Sequence, residues 1–401
     1  MLDVTGRVYR RRVDAQTRSI GLPMLRVLSI QPVAQRGGSD QALVGMLASL
    51  PTGRFECHVV VPNEPAMRRE LEDAGATIHV LPMRRVTASG DLWYWLAYGL
   101  TWPVVVARLV VLIGRTRIDV VHTNSLHSWF GWAAAAITRR PHVWTAREIV
   151  VQSKAAAILE RFLTRHFATV VVSMSGAVAA RLDPKDGRVF LDHVDASRFR
   201  PERAGSFRGR LGISDDAVLV GAAGRIDTWK GFGVLLDAWS MVVERSPMPQ
   251  LHLAVCGPAV AGKEWYEREL RRRAERLPNV HWLGPCGDMP DFYADLDVFV
   301  LPSTEPEPFG LVMIEALASG VPVLATDHGG PPEVIEGFAE RGRLVAPGDA
   351  NALASAIEEM IDPGQNPSVP SDTARRRARP ALYSSPPPPW GSLFLEVAGR
   401  S

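Results

Sequence analysis

Ser303–Glu333 reads STEPEPFGLVMIEALASGVPVLATDHGGPPE, and it follows directly on the apolar run Val298–Leu301. Pro308 and Gly310 punctuate a strand-to-helix turn, so the spacing predicts a buried strand, a short loop and a helix opening near Gly310. The first backbone N–H groups of such a helix have no intrahelical acceptor. Those around Gly310, Leu311 and Val312, with Phe309 in the turn before them, form a natural anion site. Glu315 follows Leu311 by four and Val312 by three, so it shares their helical face and can accept hydrogen bonds from a diol adjoining that anion. Glu307, in the preceding loop, reaches the other side. Either glutamate alone would read as a solvated surface carboxylate. Spaced E-x7-E around P-F-G in this context, the two read as a site.

The same strand-and-helix rhythm extends through the chain in both directions. Arg26–Ile30, His58–Val61, Thr77–Leu81, Val120–His122, His142–Thr145 and Thr169–Ser173 are short, apolar or β-branched runs in the first half. Val218–Ala222, Leu251–Val255, Val280–Trp282, Val298–Leu301 and Val321–Ala325 repeat the pattern in the second. Runs of this kind alternating with helical patterns imply α/β architecture with doubly wound parallel sheets. The polar stretch FLDHVDASRFRPERAG separates the halves. The expected division is a basic extension over 1–24, a first Rossmann-like domain over 25–200, a second over 201–378, and a crossing segment with a terminal helix over 379–401. Two such domains facing each other place their strand ends, where ligands bind, on a shared cleft.

Composition bounds the chemistry. With 401 residues, 46% hydrophobic and 22% charged, the chain can bury two cores. A net charge of +2 gives no basic stripe for nucleic acid. Cys57, Cys256 and Cys286 stand far apart without a C-x-x-C pair, which supports neither a zinc site nor a disulfide framework and suits a reduced, cytoplasmic protein. Arg10–Arg12 are not followed by an apolar segment, so no secretory signal is expected.

Three further clusters lie at predicted strand ends. GAAGRIDTWKGFGVLLDAW puts Arg225 and Lys230 in a loop before a helix, where two fixed cations suit a diphosphate. Arg36-Gly37-Gly38-Ser39 follows the first strand, and paired glycines let the backbone approach a ligand. DVVHTNSLHSWFGWAAA places His122, Asn124 and His127 at or after a strand end, and Thr145–Ile149 adds Arg147 and Glu148 at the next. At this stage His122 reads equally as a satisfied core histidine.

EPFGLVMIEALASGVPVLAT, with the following GGPPEVI, resembles the signature of the family-4 retaining glycosyltransferases, which have the GT-B fold. The resemblance runs from about Leu25 to Asp349 and is densest in the second half. It implies that Glu307 approaches a donor sugar and Glu315 holds a ribose. By the same resemblance Arg225 and Lys230 hold the diphosphate, and Gly37 and Gly38 form the loop where donor phosphate and acceptor meet. The implied reaction is metal-independent transfer, with retention, from a UDP-, GDP- or ADP-sugar to a hydroxyl acceptor, with no cofactor. Glu307, Arg225, Lys230, His122 and Asn124 are the catalytic candidates, and Arg147, Glu148 and His127 lie on the acceptor side. Two departures stand out. Asn124 occupies the second position of the family's H-x-H, and Asp192-His193-Val194-Asp195 stands where relatives read N-G-V-D. A nucleotide-sugar epimerase or hydrolase on the same scaffold, and a non-catalytic nucleotide-sugar-binding protein, are the competing readings.

Leu92–Gly114 is 23 residues with the single charge Arg108, long enough to span a bilayer. Pro103 interrupts it, and a span would split an α/β domain. Helices in the core, or one lying on a membrane surface with Trp93, Tyr94, Trp95 and Trp102 as anchors, are the expectation. The second form points to a lipid-linked acceptor and a peripheral site at the inner membrane face.

Overall fold

The computed structural model describes residues 24–87, 90–149, 154–201, 205–245, 250–338, 341–362 and 386–399. Nearly all of the extension expected over 1–24, and most of the crossing segment, lie outside the described residues.

In the first domain the strands are β1 (Leu25–Ile30), β2 (Phe55–Val61), β3 (Ala76–Val80), β4 (Val120–Thr123), β5 (His142–Ala146), β6 (Val170–Ser173) and β7 (Gly187–Val189). The helices between them are α1 (Gly38–Ala48), α2 (Arg68–Asp73), α3 (Leu92–Arg115), α4 (Phe130–Thr138), α5 (Lys154–Phe167) and α6 (Gly176–Leu182). In the second domain α7 (Phe207–Leu211) leads into β8 (Val218–Ala223), β9 (Leu251–Cys256), β10 (Val280–Gly284), β11 (Val298–Leu301), β12 (Val323–Thr326) and β13 (Gly342–Val345). Its other helices are α8 (Phe232–Arg245), α9 (Glu264–Ala274), α10 (Met289–Ala294), α11 (Leu311–Ala318), α12 (Pro331–Ile335) and α13 (Ala350–Ile361). A last helix, α14 (Trp390–Val397), ends the described chain.

Both sheets are parallel, in the orders β3-β2-β1-β4-β5-β6-β7 and β10-β9-β8-β11-β12-β13. Strand order reverses between β1 and β4 in one sheet and between β8 and β11 in the other. Those two switch points are where such sheets bind ligands. VVHT, HVWTA, VVVS and VFVL are buried along their whole length; they are mostly β-branched or apolar, and the two histidines among them are hydrogen-bonded. β7 and β13 were not among the expected strands. Each lies at a sheet edge with exposed positions, and GRV and GRLV are too short and polar to show a pattern.

α14 returns to the first domain. Trp390, Leu393 and Phe394 pack into its core beside β1 and β2, and Trp390 meets Phe190 edge-on at 5.1 Å. The domains also touch at the cleft. Glu333, at the start of α12, accepts hydrogen bonds from Gly176 N at 2.8 Å and Ala177 N at 2.7 Å at the N-terminus of α6. Ser175 Oγ donates to the Pro308 carbonyl at 2.7 Å. In the linker, His193 is absent from the left-handed residues, so the glycine of N-G-V-D has no special backbone task here. Its ring instead rests against Gly45 of α1.

α3 corrects one expectation. Pro103 does not interrupt it: a single 24-residue helix carries the proline inside. Proline removes the bond to the carbonyl four residues earlier, here Gly99, and Gly99 and Pro103 both lie on the exposed side, where water can take that carbonyl. Nor is the helix plain core. Tyr98, Val105, Val106, Leu109 and Ile113 are buried, while Trp93 and Leu100 on the other face are 76% and 77% exposed. It connects β3 to β4 of one sheet, and it is long and apolar enough to cross a membrane with 28% of its most apolar window buried.

Candidate active site

The loops after β8 and β11 meet at the second switch point. Gly231 closes the first loop with φ +72°, and a Cβ there would lie 1.8 Å from the Pro302 carbonyl oxygen, so only glycine lets the two loops touch. Thr304 N donates to the Trp229 carbonyl at 2.8 Å and staples them together. Asp227 caps the 3-10 turn Thr228–Lys230 through Thr228 N and takes an ion pair from Lys263 at 2.5 Å. That turn delivers Lys230 inward. Its Nζ sits 2.6 Å from Glu307 Oε2 and 4.3 Å above the Trp229 ring. Ser303 Oγ donates to the same carboxylate oxygen at 2.9 Å. Glu307 itself is fixed by backbone bonds to His328 and Gly330.

The two residues assigned separately, Lys230 to the diphosphate and Glu307 to the sugar, are thus one buried ion pair. Their joint placement was invisible in the sequence, 77 residues apart. Arg225, the other assigned cation, is exposed at the start of the same loop, just after β8.

α11 begins where the turn predicts. Gly310 is its N-cap, at φ +89°, and no side chain caps the helix. The N–H groups at Leu311 and Val312 are therefore open toward the cleft, with Phe309 buried beneath. One turn on, Glu315 is 4% exposed and accepts a hydrogen bond from Tyr293 Oη at 2.9 Å. Burial pushes its carboxyl up to about 7, against the lowering effect of Tyr293. Tyr293, on α10, had no sequence signal.

Across the cleft, Gly37 caps α1, and a Cβ on Gly38 would stand 3.6 Å from Leu311 Cδ2. The N-termini of α1 and α11 therefore face each other. Beside them lies a polar cluster that sequence reasoning found only in part. Asn124 Nδ2 donates to Gln31 Oε1 at 2.8 Å and to the Ser39 carbonyl at 3.1 Å, while its Oδ1 accepts from Arg147 Nε at 2.8 Å. Arg147 grips both oxygens of Asp192 in the linker, at 3.0 and 3.3 Å. Asp40, in the first turn of α1, is held by Gln31 and Ser39, and burial raises its carboxyl to about 6. Asn124 and Arg147 position the first-domain loops through their side chains. Glu148 ties the loop after β4 through Leu126 N and Ser125, and lies 3.7 Å from His127.

His122 is a correction. It is 0% exposed, with Nδ1 3.0 Å from Ser29 Oγ and Nε2 2.8 Å from Thr145 Oγ1, and it packs against Trp390 and Phe394 of α14. Burial lowers its pKa to about 3, so it is a neutral core histidine with both nitrogens occupied. Strand alternation explains this, since His122 points to the face that α14 covers while Thr123 points to the other.

Two facing parallel-sheet domains, with open helix ends and a buried Lys–Glu pair at the switch point between them, define a GT-B architecture. Residues 37–189 match the glycosyl transferase 4-like domain, and residues 217–363 match glycosyl transferases group 1. The D-inositol 3-phosphate glycosyltransferase of Saccharomonospora viridis is 36% identical over 372 residues, covering 88% of this chain and 81% of that protein. The chain belongs to the group 1 glycosyltransferase family. The lipopolysaccharide core biosynthesis mannosyltransferase LpsB of Rhizobium meliloti is 32% identical over 224 residues, 55% of this chain and 62% of that protein, so the match spans about three fifths of that relative. Among solved structures, Anabaena Alr3699/HepE in complex with UDP-glucose superposes with a TM-score of 0.74 at 24% identity, covering 94% of this chain and 99% of that one. Sucrose-phosphate synthase from Thermosynechococcus elongatus gives 0.69 at 22% identity, over 94% and 98%. These two likenesses establish the fold.

Proposed function

We propose that the chain transfers a sugar, with retention and without a metal ion, from a nucleotide-diphosphate sugar to a hydroxyl acceptor. The observation that carries this reading is the Lys230–Glu307 pair at 2.6 Å, set beside the uncapped N-terminus of α11 and one helical turn from Glu315. Lys230, Arg225 and the α11 N–H groups would meet the diphosphate. Fixed cations and helix dipoles there stabilise the charge that develops as the glycosidic bond breaks. Glu307, held by Ser303 and Lys230, faces the sugar side, and Glu315 accepts from the ribose diol. With both carboxylates engaged by the donor, the departing phosphate takes the acceptor's proton. The Gly37–Gly38 loop and the Asn124–Arg147–Asp40 cluster shape the acceptor side. Relatives named for a mannosyltransferase and an inositol phosphate glycosyltransferase, and a fold neighbour bound to UDP-glucose, support a nucleotide-sugar donor.

Calorimetry with UDP, GDP and ADP tests the donor side. Wild type should prefer one of them, and Glu315→Ala should bind it more weakly by about 1.5–3 kcal/mol, as for a hydrogen bond to a charged group. Because burial raises the Glu315 carboxyl to about 7, its anionic fraction grows from pH 6 to 8, and wild-type binding should gain over that range relative to Glu315→Gln measured in parallel, which shares the titration of the nucleotide's own phosphate. Equal binding by Glu315→Ala would reject the ribose assignment. Product analysis with and without acceptor separates transfer from hydrolysis or epimerisation, the product's anomeric configuration tests retention, and turnover in chelator tests metal independence.

The exposed face of α3 supports a place at the inner, cytoplasmic face of a membrane and a lipid-linked acceptor. Trp93, Leu96, Leu100, Val104 and Val111 line one helical stripe. A groove of about 640 Å³ beside it is lined by Pro103, Val104, Ala107, Arg108, Val111, Leu112 and Arg115. The apolar surface continues through Trp102, Trp132 and Phe167 onto α4 and α5. Arg108 and Arg115 supply charge for an anionic lipid surface. Vesicles containing phosphatidylglycerol should sediment with wild type and lose Trp93→Ser/Leu100→Ser, while vesicles of phosphatidylcholine alone bind less. No sedimentation with anionic vesicles would reject the membrane reading.

A further inference from the structure

Glu315 has a buried partner that sugar transfer leaves without a task. Tyr293, near the end of α10, is fully buried, and its Oη donates to Glu315 Oε2 at 2.9 Å. Burial and the neighbouring carboxylate push the phenol well above its ordinary range, so it keeps its proton and serves as a donor. The ring packs among Phe199 of the linker, Phe292 beside it and Phe299 of β11, at centroid distances of 6.0, 5.7 and 5.5 Å. α10 is pinned in turn. Asp288 caps it through Asp291 N at 3.2 Å, and the Asp291 carboxylate accepts from Ser206 N and Oγ at 2.9 and 2.7 Å.

Glu315 is held unequally at its two oxygens. α11 fixes its backbone, but the carboxylate can still turn about the side-chain torsions. Tyr293 takes Oε2, whereas Oε1 has no partner among the described residues and is not sealed from solvent. One oxygen is thus anchored on a rigid platform, and the other is left for a ligand. A carboxylate accepts hydrogen bonds and donates none, so the ligand group it suits is a hydroxyl. The hydrogen bond from Tyr293 also favours the charged form, which burial of Glu315 opposes. A ligand that lacks the hydroxyl would leave a buried acceptor unpaired, and such a site rejects it.

We propose that Tyr293 is a positioning residue that sets the Glu315 carboxylate to accept from the ribose hydroxyls, and so makes the site select ribonucleotides over their deoxy analogues. This rests on the assignment of Glu315 to the ribose. Fully buried, Tyr293 acts through Glu315 and not on the ligand. In Tyr293→Phe the ring and its packing remain, and a single hydrogen-bond donor is lost. The Glu315 side chain is then free to turn, and recognition of the hydroxyls falls. Lys230, Arg225 and the α11 N–H groups, assigned to the diphosphate, stand apart from this pair and keep their geometry.

Calorimetry on the full chain measures Kd for the nucleoside diphosphate that wild type prefers, and for its 2′-deoxy and 3′-deoxy analogues. The deciding quantity is the ratio of deoxy to ribo Kd, taken for whichever hydroxyl matters more in wild type. A general loosening of the second domain weakens all the ligands together and leaves that ratio unchanged. Wild type should show a ratio of about tenfold or more, as for a hydrogen bond to a charged group. Tyr293→Phe should lower the ratio by about threefold or more, the loss expected for one hydrogen bond. In a Glu315→Ala background, where the ratio should already be near one, adding Tyr293→Phe should change nothing. A Tyr293→Phe ratio equal to wild type overturns the positioning role and leaves Glu315 on the ribose. A wild-type ratio near one, or an undiminished ratio in Glu315→Ala, overturns the ribose assignment and the positioning role with it. Wild type that binds no nucleotide overturns the whole donor site.

Discussion

Replacing Lys230 with alanine should lower kcat by about 10²- to 10³-fold, the loss found when one preorganised donor to a developing negative charge is removed. Two effects combine. On the proposed donor placement, the diphosphate would lose a cation held at fixed geometry by the Thr228–Lys230 turn and by Asp227 beneath it. Glu307, 6% exposed, loses the ion pair that holds its carboxylate in place. Arg225→Ala should cost less, because Arg225 is exposed and water screens its charge. Steady-state kinetics with the preferred donor provide the check. A Lys230→Ala kcat within threefold of wild type would mean that Lys230 serves only the fold.

The largest effect on stability is expected far from the cleft. Arg208 on α7 is 4% exposed and binds Asp297, itself 0% exposed, at 2.6 Å just before β11. The guanidinium also donates to the Ser214, Ala217 and Asp295 carbonyls, and Asp297 accepts from Leu219 N at 2.8 Å. This node ties α7 to the entry ends of β8 and β11. Arg208→Ala would leave a buried aspartate uncompensated and should destabilise the second domain by about 3–5 kcal/mol. Arg208→Met/Asp297→Leu, which removes both charges and keeps volume, should recover much of that loss. Urea unfolding followed by tryptophan fluorescence measures both, since Trp239 is buried in that domain. A loss under 1 kcal/mol in Arg208→Ala would show that water enters and solvates Asp297.

Much of the fold was legible because its signals are local. Strands buried on both faces are mostly continuous apolar runs, and Val298–Leu301 announces itself whatever surrounds it. Gly310 marks a helix start because a positive φ is cheap only for glycine. The E-x7-E spacing carries Glu307 and Glu315 to one helix end for the same reason: three or four residues make a turn. β7 and β13 escaped notice because edge strands have no such run. α3 was misjudged because a proline's local cost, about 3 kcal/mol, was outweighed by the packing of the buried face of a 24-residue helix, with the freed carbonyl left to water.

Local pattern in the chain sufficed for the two-domain parallel architecture, the helix start at Gly310 and the residue types gathered there, all consequences of backbone geometry over a few residues. Which of those residues meet was set by long-range packing. It joined Lys230 to Glu307, gave Glu315 the hydroxyl of Tyr293, and turned Asn124 and Arg147 into a scaffold anchored on Asp192. It also withdrew His122 into the core beneath α14, a helix 268 residues further along the chain by its first residue, Trp390. Those outcomes depend on which strand lies beside which and on what covers each sheet face. Such long-range facts leave no trace in local spacing.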